Sequence, residues 1–233
     1  MRTLTIDIGG TGIKLLPIDS EGRPLAERHR ELTPKPSTPA AVMGLIESMV
    51  ARQEPFDRVS VGFPGVVMHG VVKTAPNLGT EEWCGFDLQK AIARCARRPT
   101  RTLNDADLQG YGVIEGKGVE LVLTLGTGLG TGLYVDGHLV PNLELAHHPL
   151  RNGKTYEDLV SDAELERIGE EAWCERVDAI IEALRPIFNY DILHIGGGNA
   201  GKLRESLPEN VHRFESVAGL AGGIRLWQDE NTK

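Results

Sequence analysis

Leu4-Thr5-Ile6-Asp7-Ile8-Gly9-Gly10-Thr11-Gly12-Ile13-Lys14 is the stretch whose reading decides the fold of this chain. Leu4, Ile6 and Ile8 alternate with Thr3, Thr5 and Asp7, the period of two that marks a strand. Past the glycines, Ile13, Leu15 and Pro17 alternate with Lys14 and Leu16, a weaker second strand. Strand, glycine-rich turn and strand make a hairpin whose backbone N–H groups can come close to an anion. Asp7, ahead of the turn, is placed to hold Mg²⁺ or a water beside that anion. By itself the stretch also reads as an ordinary hairpin with glycines for its turn.

The stretch has an echo. Leu121-Val122-Leu123-Thr124-Leu125-Gly126-Thr127-Gly128 repeats its pattern at the opening of the second half of the 233 residues: Leu4, Ile6, Ile8 and Gly9 fall on Leu121, Leu123, Leu125 and Gly126. Two such units imply a duplicated α/β fold of two lobes, 1–115 and 116–233, with a phosphate-binding hairpin in each and a cleft for a phosphorylated ligand between them. The glycine run 126–132 is not a dinucleotide fingerprint. That motif needs a helix directly after the glycines, whereas Thr131, Leu133 and Val135 alternate with Gly132, Tyr134 and Asp136 as a strand does. Gly153-Lys154-Thr155 resembles the end of a P-loop, but His148 stands where the upstream glycine is required.

The rest of the chain alternates strands and helices, as an α/β protein does. A third strand is expected over 25–32. Thr38 is a helix N-cap with Pro39 at the first helical position, and Val42, Leu45, Ile46, Met49 and Val50 carry an amphipathic helix over 39–52. Residues 58–63 form a strand ended by Pro64-Gly65; 66–74 form a loop and a short strand. A helix over 87–98 follows, then a short strand at 101–103 and a helix over 106–114. Strands over 119–125 and 131–135 form the second hairpin. Residues 142–154 are polar and irregular, 156–184 hold two or three helices, 192–195 form a strand, and 217–227 form a final helix, which can pack back on the first lobe.

Composition narrows the function. Forty per cent hydrophobic and 25% charged residues suit a globular protein. No apolar run is long enough to span a membrane, and the N-terminus enters a strand directly, without a signal peptide. Cys84, Cys95 and Cys174 are isolated and in no metal spacing, which points to reduced thiols in a cytoplasmic protein. A net charge of −8 argues against nucleic acid as a partner, and any polyanionic ligand then needs a local basic patch.

Asn104-Asp105-Ala106-Asp107 closes a strand and opens a helix, a position that active-site residues occupy in α/β folds. A carboxylate there can take a proton from a hydroxyl nucleophile while Asn104 grips a neighbouring hydroxyl; alternatively Asn104 or Asp105 only caps the helix. His147 and His148 have no Cys or third His spaced to complete a metal site.

Together these residues resemble the ROK family of sugar kinases, within the actin-like ATPase superfamily of duplicated, ribonuclease H-like folds. The resemblance runs from Leu4 to about Leu226. Asp7-Ile8-Gly9-Gly10-Thr11 is similar to the first phosphate motif, Leu125-Gly126-Thr127-Gly128-Leu129-Gly130 to the second, and Gly196-Gly197-Gly198 to the donor-side glycine turn. The polyphosphate-using glucokinase branch is the nearest in pattern. Gly12-Ile13-Lys14, Thr33-Pro34-Lys35-Pro36-Ser37-Thr38-Pro39, Thr74-Ala75-Pro76-Asn77-Leu78, Asn104-Asp105-Ala106-Asp107 and Val140-Pro141-Asn142-Leu143-Glu144-Leu145 carry that likeness.

The resemblance implies glucose phosphorylated at its 6-hydroxyl, with polyphosphate, or polyphosphate and ATP, as donor and Mg²⁺ as cofactor. It implies that Gly65, Asn77, Asn104, Glu144, His147 and Glu157 line the sugar site, with Asp105 as the base. Asp7, Gly9, Gly10, Thr11, Lys14, Thr127, Gly128, Gly130, Gly197 and Gly198 would serve the donor phosphates, Asp7 through Mg²⁺. It also implies a homodimer. Two departures stand out. The Cys-rich zinc loop that many members carry between the positions of Glu144 and Glu157 has no cysteine here, so no zinc is expected. The family's Glu-Leu-Gly-His is Glu144-Leu145-Ala146-His147, and the methyl of Ala146 is expected to disturb His147; His148-Pro149-Leu150-Arg151 departs as well. The alternatives are an ATP-dependent kinase for another hexose or an N-acyl hexosamine, and a weakened sugar-binding regulator. Against a regulator, no residues precede the first strand to form a DNA-binding helix-turn-helix.

Overall fold

The computed structural model describes residues 1–215, 219 and 221–228. The chain divides into two compact units, one of Met1–Gly112 with the C-terminal stretch from Gly219, the other of Val113–Ala218.

The first unit runs β1 (Thr3–Ile8), β2 (Gly12–Ile18), β3 (His29–Leu32), α1 (Pro39–Val50), β4 (Arg58–Phe63), β5 (Val67–Met68), β6 (Val71–Val72), α2 (Thr80–Trp83), α3 (Leu88–Ala96), β7 (Thr100–Asn104) and α4 (Asp105–Tyr111). Its main sheet has the order β3-β2-β1-β4-β7. β2 is antiparallel to β1 and β3; β4 is parallel to β1 and β7. All six residues of β1 are buried, threonines included, because both faces of the sheet are covered. One face meets the apolar sides of α1 and α3 through Leu4, Ile6, Ile8, Ile13, Val42, Ile46 and Ile92. On the other, Ser60 Oγ donates to Gly223 O at 2.7 Å, Trp227 Nε1 donates to Ser60 Oγ at 2.9 Å, and Leu16 and Ile18 pack with Ile224. α1 starts as its sequence dictates: Thr38 accepts from Ala41 N at 3.2 Å, with Pro39 in the first turn.

The second unit runs β8 (Val119–Leu125), β9 (Leu129–Val135), β10 (His138–Val140), β11 (Pro149–Arg151), β12 (Lys154–Thr155), α5 (Tyr156–Val160), α6 (Asp162–Ile168), α7 (Glu170–Phe188), β13 (Ile192–Gly196) and β14 (Val211–Arg213). Its sheet has the order β10-β9-β8-β13-β14. β9 is antiparallel to β8 and β10, and β13 is parallel to β8 and β14. Strand for strand this is the order and sense of the first sheet. The motif echo is therefore a duplication of topology, and the fold is the duplicated actin-like one. α7 lays Trp173, Val177, Ile180, Ile181 and Leu184 onto this sheet. The Trp173 indole donates to Val160 O at 3.0 Å, so its polar edge is satisfied inside the core. The chain enters the unit through a turn whose backbone N–H groups, from Glu115, Gly116 and Lys117, donate to the buried Glu120 carboxylate at 2.8, 2.6 and 3.3 Å.

Several elements differ from expectation. The third strand is only His29–Leu32; residues 25–28 carry no alternation of buried and exposed positions to hold them in a sheet. β9 begins at Leu129, not Thr131, because Leu125 pairs directly with Leu129 across a three-residue turn. The segment 142–154 contains a 3₁₀ turn, Leu145–His147, and the small β11–β12 hairpin. α2, β10 and β14 are each three or four residues long, too short to leave a periodic signal. The final helix falls partly outside the described residues; Ala221–Gly223 and Arg225–Trp227 are 3₁₀ turns.

Candidate active site

In the first unit the hairpin turn is closed from within. Gly9 N donates to Gly12 O at 3.0 Å, so the Gly9 N–H shapes the turn instead of facing a ligand. Thr33 Oγ1 donates to Gly9 O at 2.5 Å and Thr33 N to Thr11 O at 3.4 Å, which ties the proline-rich connection to the turn. Asp7 and Lys14 are cross-strand neighbours, and Lys14 Nζ donates to Asp7 Oδ2 at 2.8 Å. Asp7 is 6% exposed. Asn77 lies against the turn: a Cβ on Gly10 would stand 3.1 Å from that of Asn77.

Asn104 and Asp105 sit where β7 passes into α4. Asn104 is buried and caps the helix, its Oδ1 accepting from Ala106 N at 2.8 Å and Asp107 N at 3.3 Å, while its Nδ2 donates to Gly65 O at 3.3 Å. Gly65 is pressed so tightly on the Thr74–Ala75 backbone that a Cβ would fall 2.1 Å from Thr74 O. The 74–77 loop thus touches Gly65 at one end and the 9–12 turn at the other. Asn104 takes the capping role, and Asp105 occupies the first helical position, its Oδ1 accepting from Ala106 N at 2.9 Å.

In the second unit Gly126 N donates to Gly128 O at 3.0 Å, closing the shorter turn. Glu157, in the first turn of α5, is fixed on that hairpin: its Oε2 accepts from Leu129 N at 3.1 Å and lies where a Cβ on Gly128 would be. Thr131 is buried, donates to Leu143 O and receives Leu145 N at 3.4 Å, so it brackets Glu144 from both sides. Burial pushes the Glu144 carboxyl above its ordinary value; His147 pulls it back and Glu157 adds to the rise. His147 itself is exposed, on the 3₁₀ turn. The Ala146 methyl is buried in the core of this unit. Gly197, at φ +91°, presses on Leu125: a Cβ would lie 2.3 Å from Leu125 O. Asn199 N donates to Leu125 O at 3.0 Å, Asp162 N to Gly126 O at 2.9 Å, and Asn199 Nδ2 to Asp162 Oδ1 at 2.5 Å. The glycine turns 196–198 and 126–128 are one bonded unit. Gly130 pairs with Thr124 in the sheet, while Thr127 and Gly198 are exposed.

Of the predicted residues, Asp7, Gly9, Gly10, Thr11, Lys14, Gly65, Asn77, Asn104 and Asp105 lie in the first unit. Thr127, Gly128, Gly130, Glu144, His147, Glu157, Gly197 and Gly198 lie in the second. Sequence reasoning did not single out Thr131, Asp162 and Asn199, which hold the turns of the second unit, or Arg30, whose guanidinium lies over Gly12. Thr131 and Asn199 each stand inside or directly after a glycine run, which is a usable signal. Asp162 and Arg30 needed the structure. For a metal, no group of three His, Cys, Asp or Glu side chains stands together among the described residues. One carboxylate, Asp7, beside the first glycine turn and with one oxygen engaged by Lys14, fits a magnesium ion that would arrive on phosphates and keep its waters, as this ion prefers.

The pattern that defines the ROK family matches residues 3–143. A polyphosphate glucokinase of Mycobacterium tuberculosis strain CDC 1551 is 32% identical over 235 residues, covering 93% of this chain and 88% of the relative. Among solved structures, an inorganic polyphosphate/ATP-glucomannokinase from Arthrobacter sp. strain KM superposes with a TM-score of 0.86 at 30% identity, over 97% of this chain and 98% of that one. A ROK-family glucokinase from Streptomyces griseus, solved with glucose and AMPPNP, gives 0.81 at 20% identity over 98% and 100%, and shares the fold.

Proposed function

This chain belongs to the ROK family, and on that premise we propose that it is a glucokinase that makes glucose 6-phosphate with polyphosphate as its donor, ATP serving as a second one. The observation that carries the reading is the junction of β7 and α4. Asn104 already satisfies the helix N-terminus and is anchored to Gly65. Asp105 is therefore not needed as the cap, and it stands within a unit that also presents the 9–12 turn and Asn77.

In the reaction the 6-hydroxyl oxygen attacks the terminal phosphorus in line. The bond from that phosphorus to the bridging oxygen breaks, the hydroxyl proton passes to an Asp105 carboxylate oxygen, and a polyphosphate one unit shorter leaves. Such transfers depend chiefly on positioning and charge neutralisation. The Gly10–Gly12 backbone and Lys14 meet the donor phosphates, with Thr127, Gly128, Gly130, Gly197 and Gly198 serving them from the second unit. Asn77, Asn104, Gly65, Glu144, His147 and Glu157 bind sugar hydroxyls. Mg²⁺, held by Asp7, would supply further neutralisation of the transferring group. We place the enzyme in the cytoplasm as a homodimer, at the entry of glucose into glycolysis. Its three cysteines are free, and no described helix is long and apolar enough to cross a membrane.

A matrix of donors against sugars tests this reading. At low salt, polyphosphate is expected to give a higher kcat/KM with glucose than ATP does, with a preference that shrinks as salt rises, because exposed charges are screened beyond about 10 Å at 0.1 M. ATP as the better donor at low salt would remove polyphosphate from the reading; no turnover of glucose with either donor would remove the activity.

A further inference from the structure

We propose that the edge of the first sheet carries a subsite for the donor phosphates that lie beyond the transferred one, with Arg30 as its principal cation and Lys35 and Lys14 beside it. The proposal rests on the reading of polyphosphate as donor.

The register of three strands makes the case. Asp7 pairs with Lys14, and Lys14 pairs with Arg30. Paired residues on neighbouring strands project from the same face, so Asp7, Lys14 and Arg30 form one row of charge from β1 to β3. β3 is the edge strand, and the row therefore leads from the phosphate turn outward to solvent. Lys14 is partly neutralised by Asp7 at 2.8 Å. Arg30 is exposed and forms no ion pair among the described residues. Its guanidinium lies over the turn, where a Cβ on Gly12 would meet its Nε at 2.8 Å and a terminal nitrogen at 3.2 Å. Lys35 approaches the same turn from the proline-rich connection, its Nζ donating to Gly10 O at 3.3 Å, and Thr33 holds that connection in place. The neighbouring acid, Glu31, pairs in register with Ile13 and projects with it to the opposite face, toward His29 at 3.2 Å and Arg52 at 4.0 Å.

Three cations thus converge on one four-residue turn in a chain of net charge −8. A donor with only one group to transfer needs the turn alone. A linear polyphosphate repeats its charge along its length and is held by each further cation it passes. Arg30 suits that task because its planar fork can take two oxygens of one phosphate.

The test compares tripolyphosphate with long-chain polyphosphate as donors at saturating glucose and low salt. Arg30→Ala is expected to lower kcat/KM for the long chain about tenfold, through KM, the order expected for one charge-assisted phosphate contact. The loss with tripolyphosphate should be less than about threefold, as for a weakly engaged exposed charge, so the preference for long chains collapses. Lys35→Ala should move the ratio the same way by less, and Arg30→Lys should recover part of it. The salt dependence of the long-chain reaction should become shallower in Arg30→Ala. An unchanged chain-length ratio in both alanine variants overturns the subsite. So does an equal loss with both donors, which is what simple damage to β3 would cause, and thermal unfolding of each variant identifies that case. If the unmodified enzyme turns over no polyphosphate of any length, the donor reading falls and the subsite with it; if it does and the ratio does not move, the subsite alone falls.

Discussion

Replacing Asp105 by Asn separates the proton-accepting role from a structural one, because the structure fixes what each would cost. The N-terminus of α4 does not depend on the Asp105 charge: Asn104 Oδ1 accepts from Ala106 N and Asp107 N at 2.8 and 3.3 Å. An asparagine at 105 keeps an oxygen where Asp105 Oδ1 meets Ala106 N at 2.9 Å. What the helix loses is one negative charge in its first turn, worth about 0.3–1 kcal/mol. Removing a positioned general base lowers turnover by about 10²–10⁴, equivalent to about 2.7–5.5 kcal/mol of activation free energy. The two outcomes differ enough to be distinguished in one variant. Turnover is followed by coupling glucose 6-phosphate to reduction of NADP⁺ by a dehydrogenase, folding by thermal unfolding, and sugar affinity by glucose titration of the donor-free protein. The expected pattern is a loss in kcat of at least two decades, near-normal glucose binding and a small fall in Tm. A variant with near-normal kcat would refute the argument and leave Asp105 as a first-turn acid only.

Two further outcomes follow from the second unit. Gly197→Ala forces a side chain to within 2.3 Å of Leu125 O at φ +91°, which should cost about 2–5 kcal/mol, shift the second phosphate motif and raise the donor KM; a variant with unaltered Tm and donor KM contradicts this. Burial holds the Glu144 carboxyl above 4.5, His147 pulling it back and Glu157 raising it, so the folded state binds its proton more tightly than the unfolded chain does, and ionising it costs stability as pH rises through that shifted range. If the ionised form accepts from a sugar hydroxyl, the glucose KM rises as pH falls through the same range and Glu144→Gln removes that limb; an identical acid limb in the variant would assign it to another group.

The backbone of the fold was legible because its motifs coincide with changes of hydrophobic period. β4 is found at 58–63 as the alternation predicts, and Thr38 and Pro39 start α1 where their chemistry says they should. The echo between Leu4 and Leu121 anticipated a shared strand order, since a repeated strand–turn–strand unit has few ways to extend into a sheet. What stayed hidden depended on register. Sequence alone did not pair Arg30 with Lys14, because the third strand read as 25–32 and its alignment was open; four residues of observed β3 settle it. Glu157 was singled out by the resemblance alone, and only the folded position of Leu129 N gives it a partner. The sequence marked Ala146 as a departure beside His147, and only the fold shows that the 3₁₀ turn places its methyl in the core. In each case the missing information was the direction of a side chain, which period and composition do not carry.

The duplicated halves keep one topology but differ in the charge around their hairpins. The first hairpin spans four residues between the paired Ile8 and Ile13, the second three between Leu125 and Leu129. Around the first stand Lys14, Arg30 and Lys35, with the Asp7 carboxylate engaged by Lys14. Around the second stand Glu157 on Leu129 N and Asp162 on Gly126 O through its backbone, with Asn199 holding the Asp162 side chain. The cations of the first surroundings favour a polyanion. A carboxylate anchored by a backbone N–H, as Glu157 is, is instead a preorganised acceptor for a neutral hydroxyl. Within the first unit, Arg30 and Lys35 therefore fit the proposed donor subsite at the β3 edge, and within the second, Glu157 fits the sugar-binding role proposed for it.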